Sequence, residues 1–214
     1  DIKNNNICQF GETYPGELTK PGDIKYKDLN GDGKIDDYDK SYVNDGDVPS
    51  TYYGFGGDVR WKNFGLGILF QGTAGAHRFL SGSGINPFTS SSGGGTLYAN
   101  ITDRWSENDP ENTNVFYPRL AWGAKDPSNQ NNYQTSTWWL RDMSFLRLKQ
   151  FTVSYYFPKA WTKNGILKGG RFYIMGENVL TFSKFKLWDP ELNTSNGISY
   201  PNVRTFSLGV NFNI

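Results

Sequence analysis

"TFSLGVNFNI", Thr205 to Ile214, alternates without a break: Phe206, Leu208, Val210, Phe212 and Ile214 fall on one side, Ser207, Gly209, Asn211 and Asn213 on the other. A period of two marks a β-strand, because successive side chains point to opposite faces. The run is longer than the roughly five or six residues usual for a soluble strand. It matches the roughly 9–11 that a tilted strand needs to cross a bilayer. The second face carries small residues rather than the large polar groups of a water-facing sheet. The apolar face continues to the last residue, so further polypeptide is expected beside it.

Working back along the chain, "RFYIMGENVLTF" at 171–182 reads as a strand with weaker alternation. In "FLRLKQFTVSYYFP" at 145–158, Leu146 and Leu148 have one parity and Phe151, Val153, Tyr155 and Phe157 the other. That phase change predicts a bulge near Gln150, or an upper half facing a different environment. Further upstream, Tyr53, Phe55, Val59 and Trp61 alternate with Tyr52, Gly54, Gly56, Asp58 and Arg60. "WKN" at 61–63 then turns into Phe64, Leu66, Ile68 and Phe70, which completes a hairpin. The expected strands are 51–61, 63–72, 144–157, 170–182 and 203–214. Segments 1–50, 73–143 and 183–202 are expected to be long loops, "SGSGINPFTSSSGGG" (81–95) flexible, and no helix of ordinary length is predicted. Long connections therefore alternate with short ones, as in outer-membrane barrels.

Composition narrows the function. A net charge of +1 with no basic run argues against a nucleic-acid partner. Aromatics reach 16% while all hydrophobics are only 36%, a balance that suits sugar-binding surfaces, β-sandwiches and outer-membrane barrels. Single Cys8 and His77 allow neither an internal disulfide nor a Cys/His zinc site. There is no run of apolar residues long enough for a transmembrane helix. The polar opening "DIKNNNICQF" reads as the interior of a longer protein or as a trimmed product. No nucleophile–base pair can be assembled, and Glu107/Asp109 lie in irregular sequence, so no enzyme is expected. Trp105, Trp122, Trp138, Trp139 and Trp188 are expected to pack in loops or an interfacial girdle, and Arg141, Asp142, Arg147 and Lys149 to line a polar interior.

One motif stands apart. "DLNGDGKIDDYD", Asp28 to Asp39, has the spacing of a calcium loop. Calcium takes six to eight hard oxygens. Asp28, Asn30 and Asp32 stand at positions 1, 3 and 5, Gly33 at the sharp turn, Lys34 at the position that offers a backbone carbonyl, Asp36 at 9 and Asp39 at 12. Asp39 replaces the longer Glu of an EF-hand, and no flanking helices are evident. The expectation is an EF-like structural Ca2+ site, against the alternative of a solvated acidic turn.

Taken together, "PGDIKYKDLNGDGKIDDYDK", "WLRDMSFLRLKQFTVSYYFP", "RFYIMGENVLTF" and "YPNVRTFSLGVNFNI" resemble the C-terminal part of the SusC-like (SusC/RagA) TonB-dependent transporters, in order and spacing. The resemblance implies an all-β fold: the last five antiparallel strands of a transmembrane barrel of about 22, plugged in its lumen. It divides the chain into an extracellular loop with the calcium site (1–50) and barrel strands (51–214). It also implies a multi-pass protein of the bacterial outer membrane in Bacteroidetes, with long loops outside and a periplasmic C-terminus. Phe206, Leu208, Val210 and Phe212 would form the terminal assembly signal, although the chain ends on Ile214 and not on an aromatic. By the same resemblance, the whole protein would import large nutrients, oligosaccharides or glycans first and peptides as the alternative. Its partners would be a SusD-like surface lipoprotein, TonB reached through an N-terminal part outside this chain, the rest of barrel and plug, and outer-membrane lipid. From the residues alone, a secreted calcium-stabilised β-sandwich lectin and a small complete barrel remain rival readings.

Overall fold

A computed structural model describes residues 7–43, 46–88, 97, 99–162 and 166–214, without the side chain of Thr162. The Ser/Gly run beyond Phe88, part of the turn after Pro158, and residues 1–6 and 44–45 of the 1–50 segment lie outside the described residues. The chain forms two compact units: one of Asp1–Asn44, Phe79–Leu140 and Ser195–Ile198, the other of Asp45–Arg78, Arg141–Thr194 and Ser199–Ile214.

The second unit is built on a sheet. Its strands are β1 (Thr51–Trp61), β2 (Phe64–Ala74), β5 (Phe145–Tyr156), β6 (Gly169–Ser183) and β7 (Thr205–Asn213). They pair antiparallel in the order β1-β2-β5-β6-β7. Two short strands, β3 (His77–Phe79) and β4 (Leu140–Asp142), pair separately, and the chain passes between the units within them. The β1/β2 turn is tight, with Lys62 in the left-handed region at φ 54°. Asn63 follows it and ties the turn to β5, its Nδ2 donating to the Tyr156 carbonyl at 2.8 Å and its carbonyl accepting from the Tyr156 N–H at 2.7 Å.

Register shows why the alternation of β5 changes phase. Leu69 pairs with Gln150 and Phe70 with Leu148, so Lys149 is an extra residue with no opposite number. Against β6 the extra residue is on the other strand: between Leu148–Leu180 and Gln150–Glu177, Lys149 faces both Asn178, at φ 52°, and Val179, so the β5 bulge at Lys149 is the one seen against β2. This bulge keeps Leu146 and Leu148 on the same side as Phe151 and Val153 despite their opposite parity. Between the two options left by the sequence, the structure selects the bulge.

The ladder then produces continuous rows across the sheet. One runs Trp61, Phe64, Tyr155, Phe172, Val210; the next runs Val59, Leu66, Val153, Ile174, Leu208. On the reverse face the rows run Arg60, Gly65, Ser154, Tyr173, Gly209 and Asp58, Gly67, Thr152, Met175, Ser207. Three cross-strand pairs set a glycine opposite a ring. Tyr53 lies over Gly72, Phe151 over Gly176 and Tyr173 over Gly209, where a Cβ would fall 2.5, 2.3 and 2.3 Å from the ring. At these positions the rings fill the space that the cross-strand glycines leave.

The first unit is irregular but has a core. Trp139, Tyr117, Ile85, Leu80, Ile24 and Ile35 are buried in it. Its one helix of more than a single turn among the described residues is α1 (Pro127–Asn132). Asp126 caps it by accepting from the Ser128 N–H, and Pro127 sits in the first turn, where its missing N–H costs nothing. A second, four-residue helix, α2 (Lys159–Thr162), belongs to the sheet unit, in the turn after β5. Segments 1–50 and 73–143, read as separate loops from the sequence, thus supply most of one packed body.

Candidate functional site

The sheet is a wall with two unlike faces, and neither face is a conventional core. Every residue of β1 is exposed, and on the apolar face Leu208 is 82% and Phe206 64% exposed. A soluble sheet hides its apolar face, since each Å² left in water costs about 25 cal/mol. Rows of Val, Leu, Ile and Phe running unbroken across five strands therefore require an apolar medium or another apolar surface. The reverse face, with its Ser, Thr, Asn, Gly, Arg and Asp, suits a wetted interior. Phe206, Leu208, Val210 and Phe212, expected as the assembly signal, all lie on the apolar side of β7, which pairs with β6 and stands at the sheet's edge.

On the polar face, Arg147 is only 2% exposed and is held by Asp189 and, at 3.4 Å, by Glu191. Asp189 also accepts from the Glu191 N–H at 3.0 Å, and Glu191 accepts from Asn202 Nδ2 at 3.0 Å. One buried guanidinium thereby folds the loop after β6 back onto β5. Arg147 lines the polar face as the sequence implied, but its partners come from a loop whose docking no local pattern reveals. Three of the indoles are likewise loop packing: Trp139 is buried, Trp138 donates to the Phe116 carbonyl at 3.1 Å, and Trp105 donates to the Pro110 carbonyl at 3.2 Å. Trp122 is the exception, 68% exposed beside Phe88.

The aspartate loop lies in the irregular unit, organised by its own backbone. Asp28 accepts from the N–H groups of Gly31 at 2.6 Å and Gly33 at 2.9 Å. Asn30 accepts from Asp32 N–H and Asp32 from Lys34 N–H, both at 2.9 Å. Asp36 accepts from the Tyr38 N–H at 2.9 Å. Asp39 closes the loop by accepting from Leu29 N–H and Asp36 N–H, both at 2.8 Å. Those N–H donors, Asp36 first and Leu29 next, hold the Asp39 carboxyl below the usual carboxylate range; a contact with Asp28 adds to them. Gly31 and Gly33 take φ of 80° and 83°, which only glycine adopts freely, and Ile35 is 4% exposed and anchors the loop. Among the described residues no three His, Cys, Asp or Glu side chains converge as a metal-ligand set. Asp28 and Asp39 are brought together; Asp32 and Asp36 are tied to their own local turns.

A further constellation escaped sequence reasoning. Asn132 Oδ1 accepts from the Ile24 N–H at 2.8 Å, and its Nδ2 donates to Asp23 at 2.8 Å and to the Arg119 carbonyl at 3.1 Å. Asn131 Nδ2 donates to the Ile24 carbonyl at 2.9 Å, and Arg119 reaches Asp23 through the Ser128 hydroxyl by two bonds of 2.8 Å. This network fastens the stretch Asp23–Tyr26 to α1. Only the Asp126-Pro127 pair, a helix-start signal, announced it in the sequence.

No protein-family model matches the chain. TonB-dependent receptor P3 of Formosa agariphila is 32% identical over 219 residues, covering 96% of this chain and 20% of the receptor. TonB-dependent receptor SusC of Bacteroides thetaiotaomicron is 29% identical over 210 residues, covering 96% and 19%. The chain thus spans about a fifth of the length of the curated relatives it matches. A solved chain of the RagAB peptide importer in its "closed-closed" state superposes with a TM-score of 0.64 at 25% identity, over 86% of this chain and 20% of that one. The "open-open" state gives 0.63 at 24% identity, over 84% and 19%. Similarity along nearly the whole chain, together with the shared fold, makes this a SusC-like segment of a TonB-dependent receptor, consistent with the C-terminal portion of that family's outer-membrane β-barrel.

Proposed function

We propose that the chain forms the last five strands of a barrel of about 22 that imports large nutrients across the outer membrane. The two-faced sheet carries this reading: its apolar rows face lipid and its polar rows face the lumen. The two-residue β1/β2 turn and the turn after β5 lie in the periplasm, and the aspartate loop and the loop after β6 lie outside. A SusD-like lipoprotein caps the outer loops, and TonB energises the transport. The solute is an oligosaccharide, a choice supported by exposed loop rings such as Trp122, Tyr42 and Tyr200 that offer flat apolar faces. Peptide import is the second reading, favoured by the solved relatives being peptide importers. In cells bearing the whole protein, a heat-modifiable outer-membrane band and uncoupler-sensitive uptake of labelled oligosaccharide are expected. Uptake of peptide alone would move the solute to the second reading, and a soluble band of this chain's own size would overturn the barrel.

The aspartate loop is a calcium site that stiffens an outer loop. An oxygen donor at every ligand position supports this, as does the approach of Asp28 to Asp39, two anions that a dication would reconcile. Calcium would be held by Asp28, Asn30, Asp32, Asp36 and Asp39 with the Lys34 carbonyl. In the whole receptor, calcium is expected to protect residues 7–43 from protease, and Asp28→Ala with Asp32→Ala to abolish that protection. The Asp39 carboxyl is depressed, so its contribution is complete above the ordinary carboxylate range and disappears as pH falls through its lowered value. Protection that ignores both calcium and the double substitution would identify a plain acidic turn.

A further inference from the structure

At the β1/β2 turn end of the polar face, three side chains from three strands meet over a glycine. The Arg60 guanidinium lies 3.8 Å from the ring centroid of Tyr156. Arg171 stands 5.9 Å from the same centroid and 5.4 Å from that of Tyr173, with its Nη1 3.5 Å from the Tyr156 hydroxyl oxygen. Arg171 is the direct ladder partner of Tyr156, but Arg60 is two strands away, beyond β2. Gly65 of β2 makes the reach possible: a Cβ there would fall 3.1 Å from the Tyr156 ring. The three residues line an open cavity of about 420 Å³ together with Asn211 and Asn213.

Two cations that share one ring repel each other, and the ring's negative face offsets only part of that cost. Among the described residues, no carboxylate lies within ion-pair distance of either guanidinium. The acids of this face are placed elsewhere. Asp58 is turned toward Gly67, and Glu177 pairs with Thr205 farther along the strands. What surrounds the cavity is donor-rich: two guanidinium forks, a tyrosine O–H and two side-chain amides. A planar carboxylate matches such forks by paired N–H···O bonds. We propose that Arg60, Tyr156 and Arg171 form a carboxylate-binding site on the barrel wall, a proposal that rests on the polar face lining an interior. The carboxylate comes from an acidic side chain of the polypeptide outside this chain or from a carboxylate-bearing solute.

The test uses the whole receptor in detergent carrying Arg60→Lys, treated with a carbodiimide that joins a lysine amine to a touching carboxylate. With an internal source, mass spectrometry finds the lysine at position 60 joined to an acidic residue of the same polypeptide. With a solute source, that lysine gains the mass of added tricarballylic acid less one water, taken up as the carbodiimide becomes its urea, and does not when the triamide replaces it. Arg171→Lys repeats the measurement should the first variant fail to give a heat-modifiable band. Neither product in a heat-modifiable variant overturns the site. A wild-type receptor that is not heat-modifiable instead overturns the barrel reading beneath it.

Discussion

Asn132→Leu is expected to free the Asp23–Tyr26 stretch from α1 while the sheet stays intact. The amide is fully buried and makes bonds to the Ile24 N–H, the Asp23 carboxylate and the Arg119 carbonyl, and it accepts from Asn131 at 3.1 Å. Leucine has similar bulk but satisfies none of them. Each buried group left without a partner costs about 1–3 kcal/mol, whereas the half-buried Asp23 carboxylate keeps the Ser128 hydroxyl and the Lys20 N–H. With partial relaxation, a loss of about 2–4 kcal/mol follows from the Ile24 N–H, the Arg119 carbonyl and the Asn131 amide. That exceeds what a loop docked mainly by this network can tolerate. Limited proteolysis of the whole receptor should show new cleavage near residues 23–26 with heat-modifiability unchanged. An unchanged digestion pattern would mean that the apolar contacts of Ile24 and Tyr26 hold the stretch by themselves.

The second large effect separates the two faces of the sheet. Ile174 lies in the middle of an apolar row between Val153 and Leu208, and Thr152 in the adjoining polar row beside Met175. Ile174→Arg places a charge against lipid, which costs about 2–4 kcal/mol near the bilayer midplane. Thr152→Arg places the same charge in a wetted interior at little cost. The expected result is a strong loss of the heat-modifiable form for Ile174→Arg and near-normal amounts for Thr152→Arg. Equal losses would mean that both faces are packed against protein, as in a sandwich.

Strand identity and facing were legible because a β-strand writes its environment into every second residue. Thr205–Asn213 shows this in pure form, and even the Lys149 bulge left its trace as a change of parity. The spacing of the aspartate loop was equally plain, since its turns depend on neighbours a few residues apart, such as Asp28 with Gly31 and Gly33. The tertiary structure alone decided which distant residues share a site. Asp23 meets Asn132, Arg147 meets Asp189, and Arg60 meets Tyr156 across the gap left by Gly65. These pairings involve polar side chains in irregular segments, or residues separated by an intervening strand. They carry no period, because their energy is gained only after the chain has folded back on itself. The sequence by itself thus determined the wall and the side each residue faces, whereas folding decided how the loops lock and where charges gather.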